Sequence, residues 1–235
     1  MKILAFDGTA KVATVAVSED EKILGLYTVD DGLTQSELLL PMAENLLKSL
    51  KLGFNDIDLF ATSVGPGSFT GVRIGVSLVK GLAFGRNIPC VGVSTLEALA
   101  ENLVGLNGII LPCMDARRGQ VYSATFRFDG EKLTRLTEDR AIALSDLAEE
   151  LKSFDSENIY ICGDGYSVAK KALTEAGVSL SKTPDLLILE NGASVAKVAK
   201  RKYDSGEIQT DLEISPIYLR MPQAERERLE REAGK

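Results

Sequence analysis

The chain opens with three apolar, β-rich runs, residues 2–6 (KILAF), 12–17 (VATVAV) and 22–29 (KILGLYTV), joined by short polar links. That pattern predicts three strands in an antiparallel meander. Thr34 and Glu37 then stand at capping-box spacing before an apolar run from Leu38 to Leu50, which predicts a helix kinked at Pro41. A strand over Asp56–Val64 follows. Gly65-Pro66-Gly67 turns it into a helix whose apolar positions recur at helical spacing from Phe69 to Phe84. A strand around Ile88–Val93 and a second capping pair, Ser94 with Glu97, opening a helix through Leu103, complete the order β-β-β-α-β-α-β-α.

Part of this order recurs. Ile3–Asp7 followed by Val12–Val17 matches Ile110–Asp115 followed by Val121–Phe126: a strand ending at an aspartate, a turn, and a second strand. The strand-to-glycine passage at Leu59–Gly67 is matched at Ile159–Gly165, again with a helix after it. A duplicated α/β chain is therefore expected, with an abbreviated second copy. Its first lobe spans 1–104 and its second 105–190. Residues 191–221 then form a helix, capped by Asn191 and running from about Gly192 to Tyr203, and an ordered extension containing ISPIYLR, packed back on the lobes. Residues 222–235 are a charged tail.

The helix from Phe69 to Phe84 contains Gly71, Gly75 and Gly81, each costing about 1 kcal/mol against alanine in a helix interior. Gly71 and Gly75 lie one turn apart on one face, continued by Leu78 and Leu82, and small residues at that spacing admit a close backbone. The helix is apolar nearly all round, relieved mainly by Arg73 and Lys80, so it is expected to be buried on two sides. One side faces its own sheet. The other faces either a helix of another subunit or a second layer of the same chain. On the subunit reading the interface residues are Leu38, Pro41, Met42 and Asn45 on the first helix and Gly71, Arg73, Gly75, Leu78, Val79 and Leu82 on the second.

Composition narrows the chemistry. A net charge of -7 argues against the chain gripping a phosphate backbone by itself. Asp7 interrupts what would be the apolar core of a signal peptide, and no apolar run reaches membrane-span length, so a cytoplasmic protein without membrane contact is expected. Cys90, Cys113 and Cys162 are odd in number and set in apolar runs, which suits buried free thiols. The chain has no histidine, which excludes Ser-His-Asp and Cys-His machinery and every histidine-containing metal site.

Asp7-Gly8-Thr9, between two strands, offers backbone donors and a hydroxyl to phosphate, or merely a tight hairpin. It is the candidate vestigial phosphate-binding turn. Its counterpart, Asp115-Ala116-Arg117-Arg118-Gly119, carries two bulky arginines, which points to a degenerate cleft or one serving a partner. Gly163-Asp164-Gly165 lies near an adenine pocket or is a plain strand-to-helix turn. Gly65–Phe69 offers an anion site at a helix N-terminus, but no Lys-Ser/Thr pair follows it, so it is not a Walker loop. No catalytic residue and no metal ligand is assigned.

The blocks ILAFDGTAKVATVAV, SELLLPMAENLL, GPGSFTGVRIG with KGLAFG, VGVSTLEALA, MDARRGQVYSA and PIYLR together resemble the TsaB (YeaZ) family, over nearly the whole span from Ile3 to Arg220. GPGSFTGVRIG is the most specific of them. Gln35 stands where the family usually has histidine, so no histidine-dependent role attaches there. The resemblance implies an α/β, duplicated actin-like (ASKHA, ribonuclease-H-like) fold with mixed sheets. It also implies a non-catalytic subunit required for threonylcarbamoyladenosine formation in tRNAs reading codons that begin with adenine. The implied partners are TsaD, the metal-binding transferase, and TsaE, an ATPase, with a homodimer as the self-association and tRNA met only through the complex. No cofactor is implied for this chain by itself; ATP and a metal ion belong to the partner complex. The alternative is an ATP-dependent phosphotransferase of the actin-like fold using Asp7 and Thr9.

Overall fold

The computed structural model describes residues 1–220; the charged tail expected over 222–235 lies outside them. β1 (Lys2–Asp7), β2 (Ala13–Glu19) and β3 (Lys22–Val29) form the antiparallel meander. β4 (Leu59–Gly65) joins the other edge of β1 in parallel and β5 (Cys90–Ser94) extends it, giving the order β3-β2-β1-β4-β5. The intervening helices are α1 (Gln35–Leu50), α2 (Phe69–Ala83) and α3 (Thr95–Glu101). α1 is continuous through Pro41, and its N-terminus is closed by Glu37, whose carboxylate accepts from the N–H and hydroxyl of Thr34 at 3.1 and 2.6 Å.

The second lobe repeats the first more fully than its sequence suggests. β6 (Gly108–Asp115) is the counterpart of β1. β7 (Gln120–Ser123) and β8 (Phe126–Phe128) are one interrupted strand, because Cys113 opposite Ser123 and Ile110 opposite Phe126 continue a single antiparallel register along β6. β9 (Leu133–Arg135) pairs with β8 and β10 (Arg140–Ala143) with β7, so together they stand where β3 stands in the first lobe. The break between them is pinned at Thr125, whose carbonyl accepts from the N–H groups of Leu136 and Thr137 and whose N–H reaches the Thr137 hydroxyl. α4 (Leu144–Leu151), β11 (Ile159–Cys162, parallel to β6) and α5 (Tyr166–Glu175) match α1, β4 and α2. Among the described residues the second lobe has no counterpart of β5, which is the abbreviation.

β1, β4 and β6 are buried along nearly their whole length, as strands covered on both faces must be. Leu4, Phe6 and Phe60 face α1 and α2, while Ile3, Ala5, Leu59 and Ala61 face the opposite way, onto α6 (Gly192–Asp204). Leu96 and Leu99 of α3, with Leu103 in the turn after it, pack against Ile110, Met114 and Phe126 of the second sheet. Each of these buried leucines contributes about 1.5–3 kcal/mol of apolar transfer. α3 and α6 thus form one layer between the two sheets, joined by Arg201 and the nearly buried Glu101 at 2.8 Å. The outer layers are α1 with α2, and α4 with α5.

Beyond α6 the extension covers the edge of β5. Gln209 exchanges two backbone hydrogen bonds with Cys90, Ile214 is fully buried, and the Ile217 N–H reaches the Val64 carbonyl at 2.7 Å. An edge that could pair with another chain is so closed. Cys90, Cys113 and Cys162 are buried free thiols, and burial pushes the first two up to about 11 and about 12.

Candidate functional site

The C-terminal ends of β1 and β4 face those of β6 and β11 across a cleft of about 520 Å³ lined by Thr9, Lys11, Ser68, Asp115, Arg117, Tyr122 and Asp164, among others. This is where an open α/β sheet ordinarily receives a ligand. The duplicated turns predicted from sequence meet here.

The first turn is spent internally. One oxygen of Asp7 accepts from both the N–H and the hydroxyl of Thr9, at 2.8 and 2.7 Å, and the other accepts from the Ser63 hydroxyl of β4 at 2.5 Å. Thr9 in turn gives its carbonyl to the Ser68 N–H at the start of α2. Gln35 fastens the same turn from outside, its amide donating to the carbonyls of Ala10 and Lys11 at 2.9 and 3.2 Å. Asp7 is buried, and burial raises its carboxyl above the usual range despite the three hydrogen bonds that oppose the shift.

The second turn is built differently. Asp115 accepts from the Arg117 N–H at 2.8 Å and donates its own N–H to the Asp164 carboxylate at 3.0 Å. Gly163-Asp164-Gly165 is the strand-to-helix turn between β11 and α5, with Asp164 also on the cleft wall. Burial chiefly raises the Asp164 carboxyl, with Asp115 adding to it. Behind the cleft, Glu190 is 3% exposed and neither of its carboxylate oxygens has a hydrogen-bond partner among the described residues. Burial first, then the charges of Asp7 and Asp164, push its carboxyl well above the ordinary range. Ser63 and Glu190 were not singled out from the sequence: a serine late in a strand and an acid before a helix cap carry no local signal. Gln35 was visible only as a departure from a pattern.

The glycine face of α2 requires a correction. A Cβ on Gly71 would overlap the Gly8 carbonyl, and one on Gly75 would lie 2.8 Å from the Thr62 hydroxyl. Gly71 therefore meets the backbone of the turn after β1, and Gly75 a side chain of β4, both in the same chain. Met42 and Val79, also expected at an interface, are buried in the core between α1, α2 and their sheet. Arg73 is exposed but engaged: its guanidinium lies 3.7 Å from the centre of the Phe69 ring and donates to the Tyr218 hydroxyl at 2.8 Å. Of the expected interface residues, Leu38, Leu78 and Leu82 are half-buried and pack against that core at the margin of the helix pair, and Pro41 and Asn45 are exposed. Leu40 of α1 is 38% exposed, and Phe84, which caps α2, is 75% exposed.

Two lobes of one repeated unit, each a meander with a parallel strand added, and a cleft between their strand ends define the actin-like (ASKHA, ribonuclease-H-like) class. The family model described as "TsaD: tRNA N6-adenosine threonylcarbamoyltransferase" matches residues 34–227. The chain is 34% identical over 164 residues to the tRNA threonylcarbamoyladenosine biosynthesis protein TsaB of Bacillus subtilis, covering 70% of this chain and 72% of that one. It is 29% identical over 222 residues to the TsaB of Escherichia coli, covering 94% and 95%. The solved YeaZ from Pseudomonas aeruginosa superposes with a TM-score of 0.74 at 23% identity, covering 93% of this chain and 99% of that one. The chain belongs to the TsaB family, within the wider group that the TsaD description covers. No helix among the described residues is long and apolar enough to cross a membrane.

Proposed function

We propose that the chain is a cytoplasmic, non-catalytic, partner-binding subunit in the formation of threonylcarbamoyladenosine in tRNAs reading codons that begin with adenine, beside TsaD as transferase and TsaE as ATPase. The names of the Bacillus subtilis and Escherichia coli relatives support the pathway. One observation carries the non-catalytic part: the Thr9 N–H and hydroxyl, the donors a phosphate would need, are both taken by Asp7, and Asp7 spends its second oxygen on Ser63. Asp7 works as a pin inside its own lobe. ATP and the metal ion are left to the partners.

The accessible surface of α1 and α2, with Leu38, Pro41, Asn45, Leu78 and Leu82 reaching it, is the face this reading assigns to a partner. A homodimer and a heterodimer with TsaD built on that face must compete, so mixing the two proteins should convert one into the other. The deciding experiment reconstitutes tRNA modification from TsaD, TsaE, ATP and threonylcarbamoyl-adenylate, with and without this chain. Activity is expected to require the chain and to survive Asp7→Asn in proportion to the folded protein that remains. Full activity without the chain would overturn the reading. Magnesium-dependent ATP turnover by the pure chain, abolished in Asp7→Asn, would favour the phosphotransferase instead.

A further inference from the structure

We infer that the loop Asp115–Gly119, braced from beneath by Arg220, is a docking point for the phosphate backbone of RNA, with Arg117 and Arg118 as its contacts and Lys11 across the cleft mouth as a third. The inference rests on the proposed tRNA role and gives a use to two motifs, MDARRG and PIYLR, that this role leaves unexplained.

Arg117 and Arg118 adopt φ of 64° and 56°, and Gly119 follows at 72°. Successive left-handed residues are disfavoured for any side chain that bears a Cβ, and glycine would relieve the strain at either arginine. Strain of this kind persists where the surroundings over-determine it and clusters at functional positions. The surroundings here do so. Arg220, at the end of the extension, donates to the Ala116 carbonyl at 2.9 Å and to the Gln120 side chain, with its guanidinium 5.6 Å from the centre of the Tyr122 ring. The Ala116 N–H closes the loop onto the Gln120 carbonyl, and the Leu144 N–H holds the Gly119 carbonyl.

The charges so presented are available. Arg117 is 85% exposed at its side chain and its nearest carboxylate, Asp115, lies 3.8 Å away. Arg118 and Lys11 are exposed and form no ion pair or side-chain hydrogen bond among the described residues. Lys11 and Arg117 line the same cleft. Exposed guanidinium groups suit surface phosphates of a polyanion better than a small anion enclosed in the cleft, whose turn donors are already spent. Arginine is also the side chain whose planar fork matches a phosphate. The net charge of -7 repels RNA from the chain as a whole, so the loop acts once a partner has placed the RNA beside it.

The test measures binding of fluorescently labelled tRNA to the assembly of this chain with TsaD, across a salt series. Arg117→Ala with Arg118→Ala should weaken binding about tenfold near 0.1 M salt and reduce the salt slope by about 1–2, the signature of two lost phosphate contacts. Arg117→Gly with Arg118→Gly should weaken it equally while raising Tm, which a merely structural loop would not do. Arg220→Gln should weaken it less and lower Tm. Lys132→Ala with Lys152→Ala, which removes the same charge from distant exposed sites, should leave affinity and slope near wild type. Wild-type affinity and slope in the alanine pair, or an equal loss in the lysine pair, would overturn this inference alone. Failure of the wild-type chain to associate with TsaD would overturn the partner-subunit reading together with it.

Discussion

Glu190 shows what a single side chain costs when its neighbours are wrong for it. It lies immediately before Asn191, the cap of α6, with Asp7, Asp164 and Asp30 as the charges around it. A buried carboxylate without hydrogen bonds, facing other acids, is held as the neutral acid. Its folded pKa stands above the unfolded value, so its favourable state is complete below the ordinary carboxylate range and is lost as pH rises toward the folded pKa. Asp7, also raised, adds in the same direction. Glu190→Gln should therefore match wild type near pH 4 and melt several degrees above it near pH 8; Tm curves that stay parallel from pH 4 to 9 would contradict the assignment. The residue scale is also where local reading reached least far. Asp7-Gly8-Thr9 was legible as a turn, but its occupation by Ser63 depends on β4 lying parallel to β1, and no property of the turn itself encodes that.

At the scale of elements, α2 was readable in its limits and in its two-sidedness, and misread in the direction of its glycines. Helical spacing puts Gly71 and Gly75 on one face, and smallness implies a close approach; neither says whether the approaching backbone belongs to the same chain. The sheet answered, because β4 and the turn after β1 occupy that face. The variants follow from this geometry. Gly75→Leu forces a branched side chain against Thr62 and should cost about 1–3 kcal/mol or more by overpacking, lowering Tm before it reports on any partner. Leu78→Glu, at a half-buried position on the margin of the helix pair, should keep the chain folded yet halve the mass seen in sedimentation of a self-associated sample and weaken association with TsaD. Wild-type mass in Leu78→Glu would remove the α1–α2 face from the proposal. The third strand of the second lobe was missed for a different reason: β9 and β10 have three and four residues, and the interruption at residues 136–139 destroys the two-residue period on which strand recognition depends.

The molecule as a whole is held by segments that leave one lobe and return to the other. α3 fills the space against the second sheet, α6 comes back from the second lobe to the first, and the extension runs from Cys90 past Ile214 and Val64 to Ala116. Ile214→Ala should cost about 2–4 kcal/mol as a cavity, lowering Tm by roughly 5–15 °C. It should also free the edge of β5, readable as faster amide exchange at Cys90 and Gly92. A loss confined to Tm, with exchange at β5 unchanged, would show that the extension is not what seals that edge. By itself the sequence determined the strand and helix order of the first lobe, the duplication, the exclusion of histidine chemistry and the family, because each rests on residue spacing or identity along the chain. Only the tertiary structure decided which way the glycines face, that the first phosphate turn is filled by its own aspartate, and that MDARRG and PIYLR meet. Those facts depend on tertiary contacts, Asp7 with Ser63 and Ala116 with Arg220 being 56 and 104 positions apart, whose partners are chosen by strand order and by the space left between two sheets.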